Sequence, residues 1–214
     1  GLPEPLAYAL VALGVLAIET DRRPLGWVLL AMAVFTKEVT LLFVGAIMLS
    51  DLLSRRWSAV LGIGMVVVLP FLLFQGWLWT AFGEFGIGSG GDMATPFEWI
   101  PFMGLLRIAA HSWLYLIAML VVFGPTLLWA AVWGIWKPIQ FLRAGDQNML
   151  VLALLLNSLM IIFLPFSTFR ETGGLIRLAS GLVLAVTLFA GNYRQRRILN
   201  YCSLWLVLNV FLLR

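Results

Sequence analysis

Charge is what this sequence has least of. Only 11% of its 214 residues are Asp, Glu, Lys or Arg, against 62% hydrophobic, and the mean hydropathy is +1.01. That balance leaves far too little polar surface to cover a water-soluble domain, so the bilayer is the solvent these residues suit. Cysteine and histidine are nearly absent as well. A lone Cys202 excludes an internal disulfide and a cysteine metal cluster, and a lone His111 excludes a multi-histidine metal site, so no metal and no cofactor is implied. The first apolar segment begins almost at once, without the basic n-region and small-residue cleavage site of a signal peptide. The opening on Gly1 leads us to expect a fragment, the later part of a longer membrane protein. A net charge of +4 does not point to nucleic acid, because the arginines stand in short pairs between apolar runs, where topology signals belong.

The apolar runs are roughly 5–18, 25–49, 57–79, 108–136, 149–166, 175–190 and 198–213. None shows the two-residue alternation of a barrel strand, and only helices and closed barrels satisfy the backbone in lipid. The expected fold is therefore all-α: a polytopic transmembrane helical bundle of six or seven segments, one of them re-entrant, forming a single domain over 1–214. Basic clusters at Asp21–Arg23, Ser54–Arg56, Trp136–Arg143 and Arg194–Arg197 should face the cytoplasm. The connection Thr80–Pro101 carries Glu84, Asp92 and Glu98 without Lys or Arg, which puts an outer-face loop at 80–103. No internal repeat of the kind that marks two-fold transporters is visible.

One conflict emerges. If residues 25–49 formed a single span, "DRR" before it and "SRR" after it would lie on opposite sides, although both carry the cytoplasmic signature. A break at Thr36–Lys37–Glu38 removes the conflict by turning the run into a re-entrant helical pair whose arms of about 12 and 11 residues reach mid-membrane. A straight helix is the alternative, since the run is long enough to span.

Ionisable residues inside a membrane are costly and therefore functional candidates. Lys37 and Glu38 lead. Adjacent residues on a helix point about 100° apart, so their mutual pairing is poor, and a lysine in a protected cavity suits a phosphate. A structural partner from another helix is the competing explanation. Arg107 and His111 stand four residues apart, on one helical face, beside the outer loop, and two donors there suit a pyrophosphate or phosphosugar. A snorkelling arginine and a backbone-bonded histidine are the plainer explanation. "TPFEWIPFMGLL" ahead of them reads as a short amphipathic helix on the outer surface. Arg170, Glu171 and Arg177 in "FSTFRETGGLIR" put positive charge on the outer side, where an anionic ligand or an ion pair with Glu171 accounts for it. "GIGSGGD" lacks the GK[ST] ending of a phosphate loop, Asp92 reads as a solvated acid, and Glu4 beside Pro5 reads as a helix cap.

"PEPLAYALVALGVLAIETDRRPLGWVLLAMAVFTKEVTLLF" resembles the middle segment of bacterial multi-spanning GT-C glycosyltransferases and mannosyltransferase-like proteins. In these, an acidic-Pro-Leu helix start, a short basic turn and an apolar helix ending in "T-K/R-x" follow one another. "GSGGDMATPFEWIPFMGLLR" and "FRETGGLIRLASGLVLAV" look like the branch of that superfamily linked to cell-surface glycopolymers. The resemblance implies a protein of the bacterial inner (plasma) membrane that transfers a sugar from a polyprenyl-phosphate donor to a cell-envelope acceptor. Its partners would be membrane lipid, the lipid-linked sugar and other membrane subunits. The family's catalytic acid is expected in an outer loop ahead of these residues, so this chain would be the substrate-binding half, with no catalytic residue assigned. Lys37 takes the family's "TK" position with Glu38 after it, and Arg107, His111, Arg170 and Arg177 would complete an anion-binding rim. A transporter or flippase, with Lys37 and Glu38 lining a path, and a non-catalytic subunit presenting Gly181–Gly191 to a partner are the competing classes.

Overall fold

The computed structural model describes residues 3–87 and 95–208, and among these there are helices and turns but no strand. Asp92 and most of the glycine run before it lie outside the described residues. The helices are α1 (Glu4–Glu19), α2 (Arg23–Thr36), α3 (Leu41–Leu53), α4 (Trp57–Phe82), α5 (Met103–Ala109), α6 (Trp113–Arg143), α7 (Met149–Ile162), α8 (Phe166–Arg170), α9 (Thr172–Asn192), α10 (Arg196–Cys202) and α11 (Trp205–Leu208). They form two compact units, one of Gly1–Gly90 with Gln147–Ala153, the other of Gly91–Asp146 with Leu154–Arg214.

Among the described residues, three stretches are long and apolar enough to cross a membrane: Trp57–Phe82, Trp113–Arg143 and Gly173–Asn192. Of the six or seven expected segments, three are helices of that length. α2 and α7, at 14 residues each, extend about 21 Å against a hydrocarbon core of about 30 Å. Only 22% of the most apolar window of α4 is buried within the protein, and Leu61, Met65, Leu72 and Leu73 point outward. A continuous outward apolar face of this kind suits hydrocarbon and not water.

Several boundaries differ from the sequence reading. The run 108–136 does not begin one helix at residue 108, because Ala110–Ser112 turn and Ser112 caps α6 by accepting the N–H of Tyr115 at 3.2 Å. In "TPFEWIPFMGLL" only the part from Met103 is helical, since Pro96 and Pro101 interrupt what precedes it. The run 198–213 is interrupted by a turn at Ser203–Leu204.

In the first unit α1 and α2 form an antiparallel pair packed through glycine. A methyl group on Gly26 would sit 2.8 Å from the carbonyl oxygen of Gly14 and 2.6 Å from Ile18 Cγ1. α4 packs against α2, with Gly62 against the ring of Trp27. In the second unit α5 rests on α8, and Gly104 lets the backbone of Leu164–Phe166 approach so closely that a Cβ would meet Leu164 O at 2.5 Å.

The four basic connections share one turn. Asp21, Arg55, Gly145 and Arg194 all adopt positive φ, and the N–H of the next residue bonds to the carbonyl five residues back: Arg22 to Ala17, Arg56 to Asp51, Asp146 to Phe141 and Gln195 to Ala190. Each also bonds its own N–H to the residue three before it, which completes a Schellman ending and satisfies carbonyls the helix leaves open. α4 and α6 each widen by one π turn, Gly64–Val68 and Gly124–Leu128, next to Pro70 and Pro125. In α6 the N–H of Trp129 goes to Gly124 O, which releases Pro125 O from its α-helical donor. The Tyr201 hydroxyl takes that carbonyl, and Tyr201 and Trp205 Nε1 both donate to Thr126 O, at 2.8 and 2.7 Å. The π turn is thereby the dock for α10 and α11.

Gly26→Ala is expected to lower stability by about 1–3 kcal/mol through overpacking. Gly76→Ala, with open space around the new methyl, should not. Thermal unfolding of the two variants in detergent checks this.

Candidate functional site

The break expected within 25–49 is present. α2 ends at Thr36, whose hydroxyl bonds back to Met32 O at 2.7 Å, and Lys37 is extended at φ −154° and ψ 114°. The chain then folds back at once, since Thr40 donates its N–H and its hydroxyl to Lys37 O at 3.1 and 2.8 Å, closing a 3-10 turn over Glu38–Thr40 before α3. The far ends of the two arms meet: Arg23 Nη1 reaches both oxygens of Asp51 at 3.1 Å, and Arg56 Nη1 stands 3.7 Å from Oδ1. "DRR" and "SRR" therefore converge on one buried carboxylate, and α2 and α3 run as a hairpin with Lys37 at its apex. Such a break exposes backbone groups that must be buried or wet, and Thr40 is fully buried.

Lys37 has two acidic neighbours. Its Nζ lies 3.6 Å from Glu38 Oε1 and 4.0 Å from Glu4 Oε1. The side chains are 21% exposed for Lys37, 5% for Glu4 and 45% for Glu38. Poor pairing between adjacent residues holds only on a helix; at Lys37 the extended backbone lets the neighbours meet. Glu4 is not merely a cap. It lies in the first turn of α1, and because α1 and α2 are antiparallel and of similar length, it is level with the end of α2. One ammonium between two carboxylates leaves a formal charge of −1 when all three are ionised, so an anion can join only by displacing a carboxylate.

Lys37 and Glu38 belong to the first unit, and Arg107, His111, Arg170 and Arg177 to the second. Arg107 and His111 do not share a helical face, because α5 ends at Ala109 and His111 lies in the turn after it. Arg107 Nη2 pairs with Glu98 Oε2 at 3.2 Å, a partner the sequence did not suggest. His111 Nδ1 stands 3.4 Å from Arg107 O, and its ring stacks on Phe166 with centroids 5.2 Å apart. Arg170 has an exposed side chain, and its carbonyl accepts the Tyr115 hydroxyl at 3.1 Å. The α5–α8 pair thus brings Arg107, His111 and Arg170 to one corner, while Arg177 lies further along on α9 with its side chain exposed. At the end of α9, burial first and then Asp146, which accepts the Tyr193 hydroxyl at 2.5 Å, push the phenol above its usual range.

Among the described residues no group of three or more His, Cys, Asp or Glu stands close enough to hold a metal ion. Comparison with protein-family models, with curated proteins and with solved structures finds no match.

The Lys37 environment makes a direct prediction. Lys37→Met takes the neighbouring ammonium from the buried Glu4 carboxylate, whereas Glu4→Gln with Lys37→Met removes both charges. A double-mutant cycle read by denaturant unfolding in mixed micelles should give a favourable coupling of about 1 kcal/mol or more. Additive single effects would mean that the pair does not interact.

Proposed function

We propose that the chain is embedded in a bilayer and works as the substrate-binding half of a GT-C-like membrane glycosyltransferase using a polyprenyl-phosphate sugar. On this reading α4, α6 and α9 cross the membrane, and the shorter apolar helices complete six or seven membrane segments. The hairpin of α2 and α3 enters and leaves at one face. Its first arm of about 21 Å carries Lys37 well into a core of about 30 Å.

The observation that carries the proposal is the state of Lys37. A largely buried ammonium sits at a helix break between a buried acid and a more exposed one. Glu4 is fixed by the prolines and packing of α1, and Glu38 is the more exposed partner. A lipid phosphate arriving at the apex replaces Glu38 and keeps Glu4, which holds the ammonium in place. As the sugar departs, negative charge grows on the leaving phosphate, and a preplaced cation stabilises it more than the ground state. Arg107, His111, Arg170 and Arg177 form a separate cationic set, suited to acceptor or headgroup anions, with Arg107 already balanced by Glu98.

A transporter is the second reading, and one observation favours it: two acids around one ammonium suit a cation or proton as well as an anion.

The test is binding of a short-chain polyprenyl phosphate to the purified, reconstituted protein, alongside sugar transfer from a panel of polyprenyl-phosphate donors. The double variant Glu4→Gln, Lys37→Gln removes the ammonium together with its buried carboxylate neighbour, leaves only the more exposed Glu38 charged, and should abolish binding. Glu38→Gln removes the competitor and should tighten binding by about fivefold, a gain of roughly 1 kcal/mol. Unchanged binding in the double variant would remove Lys37 from the site, and weaker binding in Glu38→Gln would favour the cation-transport reading.

A further inference from the structure

We infer that residues 97–100 are an aromatic anchor seated in the headgroup layer of the bilayer. The segment is irregular but tightly held. The Glu98 N–H donates to Phe163 O at 3.1 Å and the Phe102 N–H to Ile162 O at 2.8 Å, so the segment lies across the end of α7 and takes carbonyls that no further helical turn satisfies. Thr95 and Ser167 bond each other through N–H and hydroxyl groups at 3.1–3.2 Å. Despite this support, Trp99 is 95% exposed, and Phe97 and Ile100 are 58% exposed.

Two constraints fix the level of the segment. Irregular backbone facing lipid is not tolerated in the hydrocarbon core. Large apolar side chains projecting from a held segment are equally poorly matched to water. The boundary satisfies both, and indole is the side chain most favoured there. Charge agrees. The one acid of the segment, Glu98, is turned inward at 9% exposure onto Arg107, whose guanidinium keeps that pair while its half-exposed outer edge faces the surroundings, as suits a phosphate headgroup. Trp113 and Leu114, at the start of α6, are also large apolar side chains turned outward, 69% and 78% exposed. The occupant is thus a phospholipid surface.

The inference rests on the bilayer reading of the chain, and the experiment separates the two. Nitroxide labels are placed singly at Trp99→Cys, at Ile100→Cys and, as a reference within α4, at Leu72→Cys, all in a Cys202→Ser background. The protein is reconstituted in phosphatidylethanolamine–phosphatidylglycerol vesicles. Collision with oxygen is compared with collision with a water-soluble nickel chelate. Labels at 99 and 100 should meet oxygen more than nickel, at a depth near the headgroup boundary and shallower than the label at 72. Free collision with nickel at 99 and 100 but not at 72 would overturn the anchor and leave the bilayer reading standing. Nickel access at all three would overturn both. A label at 99 shielded from both quenchers would place it against protein, which also overturns the anchor.

Discussion

A charge surrounded by apolar side chains must find an opposite charge or a polar cavity, and the first unit is organised around that requirement. Lys37 interrupts the most apolar stretch of its neighbourhood. The chain meets the cost by leaving the helix there, which frees Lys37 to reach Glu38 on one side and Glu4 on the other. Because Glu4 stands at the start of α1, the pairing also sets the level of α1 against α2. The close glycine contact between Gly14 and Gly26 makes that approach sterically possible. Asp51 performs the matching task at the opposite end, collecting Arg23 and Arg56.

The same economy governs backbone groups. Each basic connection ends its helix with the same two reversed hydrogen bonds, the stretch before α5 occupies carbonyls at the end of α7, and a carbonyl released by a π turn in α6 receives Tyr201. Where helices must stop or widen, a specific donor is supplied. This matters most in a chain whose outward surface is so apolar that water cannot be the default partner.

How much of this was legible depended on whether the signal was periodic or positional. Apolar runs declared the helices, and the equal signature of "DRR" and "SRR" pointed to a break at Thr36–Lys37–Glu38 against the straight-helix alternative, because charge placement is written directly in the chain. The turns were hidden. Three of the four left-handed turn positions carry Asp21, Arg55 and Arg194 where glycine would have announced them. Partners distant in sequence were hidden too: Glu98 for Arg107 lies across a non-helical stretch, and Glu4 for Lys37 requires knowing that α1 and α2 are level. The supposed shared face of Arg107 and His111 failed because helical spacing was assumed across Ala110, where the helix had already ended. Chain length misled as well, since the run 25–49, long enough for one span, is divided by a turn into helices of 14 and 13 residues.

The central claim is that residues 23–53 enter and leave at one face, with Lys37 at the apex between. It is tested most directly by single cysteines at Arg22 and Arg55 in a Cys202→Ser background, labelled with a membrane-impermeant maleimide in sealed vesicles of known orientation. The account predicts that both positions react from the same side and that neither reacts from the other. Reaction from opposite sides would mean that the run spans the membrane, and would contradict the hairpin.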